Sequence, residues 1–267
     1  MNGRGRLGLL VPSRRPAGAA RLWQSMKDTC GGGTSLILGI DADDPALDQY
    51  PAGPGYVIQD GLRYVTAWVN YLAAATRGQY EFIGHIGDDN TCDTPGWDDR
   101  IRDALRRQPF AFANDRYPRE PGSLSCHIFM RAEVAGTLGY MGPPEISHMY
   151  VDVAWMAWCI ACGHEYLHDV ELPHHHYTLG AAHDATYAAS YARTSADLDA
   201  WHAYSRRTGT GGLNDDIAKL GGRPFTMAGL SGFNARLNIP ERWPWLPSCG
   251  DTRDRARKDL SGSGRWP

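Results

Sequence analysis

The stretch Tyr80-Glu81-Phe82-Ile83-Gly84-His85-Ile86-Gly87-Asp88-Asp89-Asn90 sets the reading of this chain. An apolar run with strand character stops on a glycine and two adjacent carboxylates. Like charges side by side at a strand end are costly unless a cation or hydrogen-bond donors neutralise them. Hard divalent cations take oxygen ligands, and a metal held this way commonly carries a diphosphate. The alternative is a polar turn in which Asp88, Asp89 and Asn90 cap the next helix, and so short a motif does not decide between the two.

On either side of this segment strand-like and helix-like stretches alternate. Leu7 to Val11, Ser35 to Ile40, Tyr56 to Gln59, Glu81 to Ile86 and Phe110 to Ala113 read as short buried strands. Ala17 to Thr29 reads as a helix closed by Gly31-Gly32-Gly33, and Pro95-Gly96-Trp97 opens another that runs to about Arg107. Leu62 to Thr76 places Val65, Trp68, Val69, Leu72 and Ala73 on one helical face. This alternation predicts an α/β fold, an open and largely parallel sheet with helices on both faces. Ligands of such sheets bind beyond the carboxyl ends of the strands. The polar clusters Ser13-Arg14, Asp41-Asp43-Asp44 and Asp88-Asp89 all fall there, with Asp43 and Asp44 expected as solvated loop charges.

The second half is less regular. Ser125 to Arg131 reads as a strand, Ala132 to Leu138 and Tyr150 to Cys162 as helices, and Tyr166 to Glu171 as a strand leading into Pro173-His174-His175-His176. Residues 184–207 read as a helical extension, Gly209 to Gly212 as a hinge, and Asn214 as the cap of a further short helix. Lys258 to Pro267 is expected to be mobile. The division is therefore a first domain over 1–180 and a helical extension with a tail over 181–267.

Composition narrows the class. The 267 residues, 42% hydrophobic and 21% charged, suit a soluble protein whose core needs no disulfide or metal to fold. A formal net charge of −3 weakens the case for an extended nucleic-acid surface, although arginines gather at Arg4, Arg6, Arg14, Arg15 and Arg21 and again from Arg253 to Lys258. The apolar run Leu7 to Val11 is too short for a signal-peptide core, and no stretch approaches the ~20 apolar residues of a membrane helix. A cytoplasmic protein with six reduced cysteines is expected. Cys159 and Cys162 form C-x-x-C inside an apolar helix and read as small core residues, since no second Cys/His pair follows at finger spacing.

The order of these polar clusters resembles the GT-A class of nucleotide-sugar glycosyltransferases, in particular its inverting, metal-dependent branch. The resemblance spans roughly residues 7–180 and is one of pattern. It implies a Rossmann-like GT-A sheet and assigns roles by position. The loop Val11-Pro12-Ser13-Arg14-Arg15-Pro16 would wrap the base and ribose through Pro12, Ser13 and Arg14. Asp41 would accept a hydrogen bond from the base, and Arg63 would lie near the base and phosphates. Asp88 would touch ribose or metal-bound water, and Asp89 would bind Mn²⁺ or Mg²⁺. The acidic motif is present as an adjacent pair, with Asn90 where a second spaced carboxylate would stand. Asp152 would be the general base toward the acceptor hydroxyl, or would position the acceptor if the mechanism is retaining. A late histidine, His174 or His176, would complete the metal site; in an extended segment these two point to one side and His175 to the other. Trp155 and Trp158 read as core, with one of them alternatively lining the sugar or acceptor pocket.

The resemblance further implies a nucleotide diphosphate sugar donor and a hydroxyl-bearing acceptor. A glycan, a small molecule or a hydroxylated base in DNA are open for that acceptor, the last because similar short enzymes occur in phage genomes. A nucleotidyltransferase is the alternative enzyme, although the first strand leads into Pro-Ser-Arg-Arg-Pro rather than a glycine-rich, lysine-containing loop. A non-catalytic module that binds nucleotide sugars and, more remotely, a metal-dependent hydrolase complete the set.

Overall fold

The computed structural model describes residues 5–116, 125–176 and 185–241. Strands β1 (Leu7–Ser13), β2 (Thr34–Asp41), β3 (Gly55–Gln59), β4 (Phe82–His85), β5 (Phe110–Asn114), β6 (Ile128–Arg131) and β7 (His164–Glu171) form one sheet in the order β3-β2-β1-β4-β6-β5-β7. β6 runs antiparallel to both its neighbours and the other strands run parallel, so the expected open, mostly parallel sheet is what the chain builds. The strand order reverses beside β1, whose neighbours are β2 and β4. In open α/β sheets the crevice at such a reversal is where ligands bind.

Two apolar layers cover the sheet. Helices α1 (Pro16–Thr29) and α3 (Trp97–Arg107) lie on one face and bury Leu22, Met26, Trp97, Ile101 and Leu105 against Leu9, Val11 and Phe129. On the other face α2 (Val65–Ala75), α4 (Ala132–Leu138) and α5 (Val151–Cys162) bury Trp68, Leu72, Val134, Trp155 and Trp158 against Leu10, Ile83 and Met130. Both tryptophans of α5 are core, as is Cys159. α2 starts at Val65 rather than Leu62, which leaves Arg63 exposed on the preceding loop.

α3 carries a charged group into the interior. Arg102 and Asp98 are at most 1% exposed and pair at 3.1 Å, while the same guanidinium reaches the Gly32 carbonyl and the Thr34 hydroxyl. This ties the turn before β2 to α3, and every charge finds an opposite partner as burial demands.

The extension over 184–207 consists of two helices, α6 (Ala185–Ala192) and α7 (Thr194–Arg206), followed by α8 (Leu213–Lys219) and α9 (Met227–Arg236). The last three are packed on the sheet domain: Leu198, Trp201, Tyr204, Leu213, Ile217, Leu230 and Phe233 join the core beneath α5. A buried polar node locks them there. The Asp216 carboxylate accepts from the Tyr140 and Tyr204 hydroxyls, and the Trp158 indole donates to the Tyr204 oxygen. Asn214 is not a cap. Gly212 precedes α8, and the Asn214 amide pairs with both backbone groups of Phe225. The tail expected to be mobile, together with the basic run Arg253 to Lys258, lies outside the described residues.

Candidate functional site

The carboxyl ends of β1 and β4 face each other across the reversal, and their side chains meet. Ser13 donates its hydroxyl to Asp88 Oδ2 at 2.6 Å. The other Asp88 oxygen is bonded by the Arg15 guanidinium, which also lies 3.2 Å from Asp89 Oδ2. Asp89 Oδ2 in turn lies 3.3 Å from His174 Nε2. Both carboxylates are nearly buried. Burial raises Asp88 above the usual carboxylate range, and Arg15 and Ser13 oppose it.

The backbone accounts for this convergence. After β4 the chain turns at Gly87, and Asn90 stabilises the turn by accepting from the Gly87 amide while donating to the Leu172 carbonyl. Asn90 also bridges His174, and the His175 amide donates to the Asp89 carbonyl at 2.8 Å. Asn90 is thus a structural pin between the acidic loop and the segment after β7, and its amide is spent on backbone. α1 seals the other side: a Cβ on Gly18 would sit 2.6 Å from the Asp88 carbonyl.

His174 and His176 meet edge to face with ring centroids 5.1 Å apart, and His175 points to Thr91, its Nε2 3.0 Å from the hydroxyl. Burial disfavours charge on His174, but Cys126 and Asp89 beside it prevail and push its imidazolium up to about 11. A divalent ion here would take an Asp89 oxygen as its hard ligand and would have to displace the proton from His174 to use its Nε2 as well. His174 has the ring that touches Asp89; His176 stands behind it.

A second group, Asp115, Cys126 and His127, brings ligand-type atoms within 4.8 Å of one another just beyond β5. His127 Nε2 accepts the Ala113 amide at 3.0 Å. That bond fixes the neutral ring with its proton on Nδ1, so neither nitrogen can serve a metal without breaking it. The group reads as a hydrogen-bonded support under His174, whose amide donates to the Asp115 carbonyl at 2.9 Å.

The remaining expected residues occupy the same edge. Asp41 closes β2, takes the Trp68 indole at 3.1 Å and faces Arg14 at 3.3 Å. Arg14 also reaches Asp43, so it serves β2 while its neighbour Arg15 serves β4. Pro12 pairs with Gly39 within the β1–β2 ladder. Asp44 is buried rather than solvated, because the Ala46 amide and the Tyr50 hydroxyl both donate to it.

Asp152 stands in the first turn of α5 and accepts the Val153 amide at 2.9 Å. The loop before it is held in an unusual way. Asp197, buried on α7, accepts three successive backbone amides: Ser147 at 2.9 Å, His148 at 3.0 Å and Met149 at 2.9 Å. Tyr150 then takes a left-handed conformation, φ 69°, to enter the helix. Burial pushes the His148 ring below the usual histidine range, against the fields of Asp197 and Asp89. Beneath it, burial pushes His85 down to about 4, and the His85 ring is held by the Leu10 carbonyl at 3.0 Å.

Arg15, His148 and Asp197 are the site residues that the sequence reading passed over. Arg15 was visible as half of an arginine pair; the other two carry no local signal.

No family model matches the sequence, and no curated protein matches it. Solved structures do resemble the fold. A mannosyltransferase, PcManGT from Pyrobaculum calidifontis, in complex with GDP-Man and Mn²⁺, superposes with a TM-score of 0.55 at 12% identity, covering 98% of this chain and 82% of that one. TarS residues 1–349 from S. aureus gives 0.52 at 11%, covering 75% and 73%. TarS in complex with UDP-GlcNAc gives 0.50 at 11%, covering 88% and 82%. At these identities the likeness establishes architecture alone: the chain has the GT-A fold.

Proposed function

We propose that this chain is a glycosyltransferase that moves a sugar from a nucleotide diphosphate donor to an acceptor hydroxyl with the help of Mn²⁺ or Mg²⁺. The observation that carries the reading is the convergence of Ser13, Arg15, Asp88, Asp89 and His174 at the strand-order reversal of a GT-A sheet. The resemblance to structures that hold GDP-Man with Mn²⁺, or UDP-GlcNAc, supports a sugar nucleotide as donor.

In this reading Asp89 and His174 hold the ion, with His176 behind them. The ion, when bound, offsets negative charge on the departing diphosphate. Asp88, fixed by Ser13 and Arg15, faces the ribose side. Asp41 presents its carboxylate to the base at the end of β2, with Pro12, Ser13 and Arg14 lining the approach and Arg63 at its exposed rim. Asp152 takes the proton from the acceptor hydroxyl as that oxygen attacks the anomeric carbon, which inverts its configuration. Acceptors compatible with the reading are a glycan, a small molecule or a hydroxylated base in DNA. No helix among the described residues is long and apolar enough to cross a membrane.

A thermal-shift screen of nucleotide diphosphate sugars with and without Mn²⁺ tests the proposal. One donor should raise the melting temperature in the presence of metal. Stabilisation by nucleoside triphosphates alone, or by no sugar nucleotide under either condition, would contradict it.

A further inference from the structure

Arg15 stands where the proposed metal must act. Its guanidinium bonds Asp88 and lies 3.2 Å from Asp89 Oδ2, the oxygen that is also 3.3 Å from His174 Nε2. The oxygen best placed to ligate a divalent ion is therefore flanked by a fixed cation. Arginine keeps its charge at every working pH, so a metal on that oxygen is repelled by it at short range. The backbone that carries the carboxylate pair is fixed on both sides. Asp88 is locked by Ser13 and by the close approach of α1 at Gly18, and the Asp89 carbonyl is bonded to the His175 amide. Arg15 can retreat. Its side chain is 29% exposed, and its backbone N–H, which donates a hydrogen bond to Ser13 Oγ at 3.2 Å, stands immediately before α1.

From that position the guanidinium reaches two kinds of partner. One is the carboxylate pair. The other would be an anion at the N-terminus of the 14-residue helix α1, where Pro16 occupies the first turn and no side chain caps the helix. A diphosphate there would offer the planar oxygen geometry that a guanidinium fork matches.

We propose that Arg15 is a built-in counter-ion that makes metal and diphosphate bind together. It holds the carboxylates against metal alone and moves to the phosphates when the donor brings them. The residue then acts twice in one exchange, lowering the affinity for free metal and raising that for the metal–nucleotide pair. Because coupling is reciprocal, nucleotide should strengthen metal binding by the same factor that metal strengthens nucleotide binding. This inference rests on the metal-dependent reading of the site.

Calorimetric titration of Mn²⁺, and of UDP and GDP, into the full chain tests it, with Arg15→Met and Arg15→Lys as variants. Arg15→Met should bind Mn²⁺ alone at least tenfold more tightly than wild type. It should bind the preferred nucleotide in the presence of Mn²⁺ at least tenfold more weakly, and the coupling factor should fall at least tenfold, leaving the share that direct contact between ion and diphosphate supplies. Arg15→Lys keeps the charge without the fork. It should leave binding of Mn²⁺ alone as weak as in wild type and still lose nucleotide affinity, so it carries the test if Arg15→Met does not fold. Wild type that binds Mn²⁺ with nucleotide while Arg15→Met gains nothing toward Mn²⁺ alone overturns the role of Arg15 and leaves the metal site standing. Tighter binding of Mn²⁺ alone by Arg15→Lys also overturns it. A wild type that binds no Mn²⁺ even with nucleotide overturns this inference together with the reading beneath it.

Discussion

Replacing Asp197 by asparagine tests how the C-terminal helices serve the acceptor side of the site. The native carboxylate accepts three backbone amides, Ser147 on one oxygen and His148 and Met149 on the other. Asparagine keeps the shape and one acceptor oxygen. In its better orientation that oxygen retains the His148 and Met149 amides, while its NH₂ group confronts the Ser147 amide, donor against donor. Each retained bond loses its charge assistance, about 1 kcal/mol apiece, and the orphaned amide costs about 1–3 kcal/mol. The variant should therefore lose about 3–5 kcal/mol of unfolding free energy in urea. Amide exchange should rise at residues 147–150 while the β1–β2–β4 ladder stays protected. Transfer should fall more than donor hydrolysis, because Tyr150 and Asp152 follow the released loop. A loss under about 1 kcal/mol, with unchanged exchange at 147–149, would refute the argument that this carboxylate holds the loop.

Other perturbations reach other parts of the account. Asp152→Asn should leave binding of donor with Mn²⁺ intact and lower transfer at least a hundredfold, on the order of what a positioned general base contributes; normal turnover would remove Asp152 from that role. Arg102→Met leaves Asp98 buried without its cation and should cost about 3–5 kcal/mol in urea unfolding, whereas a loss below about 1 kcal/mol would contradict the buried pair. His85 is held neutral in the folded state, its value pushed down to about 4 by burial. The unfolded chain binds the extra proton between about pH 6.5 and 4, so stability from this group is complete above that window and is lost as pH falls through it, by about 3 kcal/mol. His85→Gln should flatten that part of the stability–pH curve; an unaltered slope would assign it elsewhere.

The first half of the fold was legible because it obeys local rules. Short apolar runs such as Leu7 to Val11 and Ser35 to Ile40 are bounded by glycine, proline and charge, and they became β1 and β2 with ends shifted by one or two residues. The acidic clusters fell at strand ends because a carboxylate cannot continue a buried strand. The helices expected over 184–207 and near Asn214 formed as α6, α7 and α8, but α9 was not legible. α9 contains Gly229 and Gly232 and carries no helical signal, yet Thr226 caps it by accepting the Gly229 amide at 3.0 Å, and Leu230 and Phe233 bury. Tertiary packing there overrides propensity. Asp44 looked solvated, since nothing in the sequence announces that Tyr50 turns back to it.

The site divides in the same way. Asp41, Asp88, Asp89 and His174 were marked by strand-end position. Their mutual contacts were not, because Arg15 and Asp88 are 73 residues apart in the chain and the hydrogen bond between them depends on the sheet order. Asp197 sits in an amphipathic helix like many other aspartates. Only the folded chain brings three amides to it.

The central claim is that Asp89, with a divalent ion, holds the diphosphate of the donor. Calorimetric titration of the preferred nucleotide diphosphate into wild type and Asp89→Ala, each with Mn²⁺ and with a chelator, tests it most directly. The account predicts strong binding for wild type with Mn²⁺ and at least a hundredfold weaker binding in the other three samples. Equal affinity with chelator, or in Asp89→Ala with Mn²⁺, would contradict it.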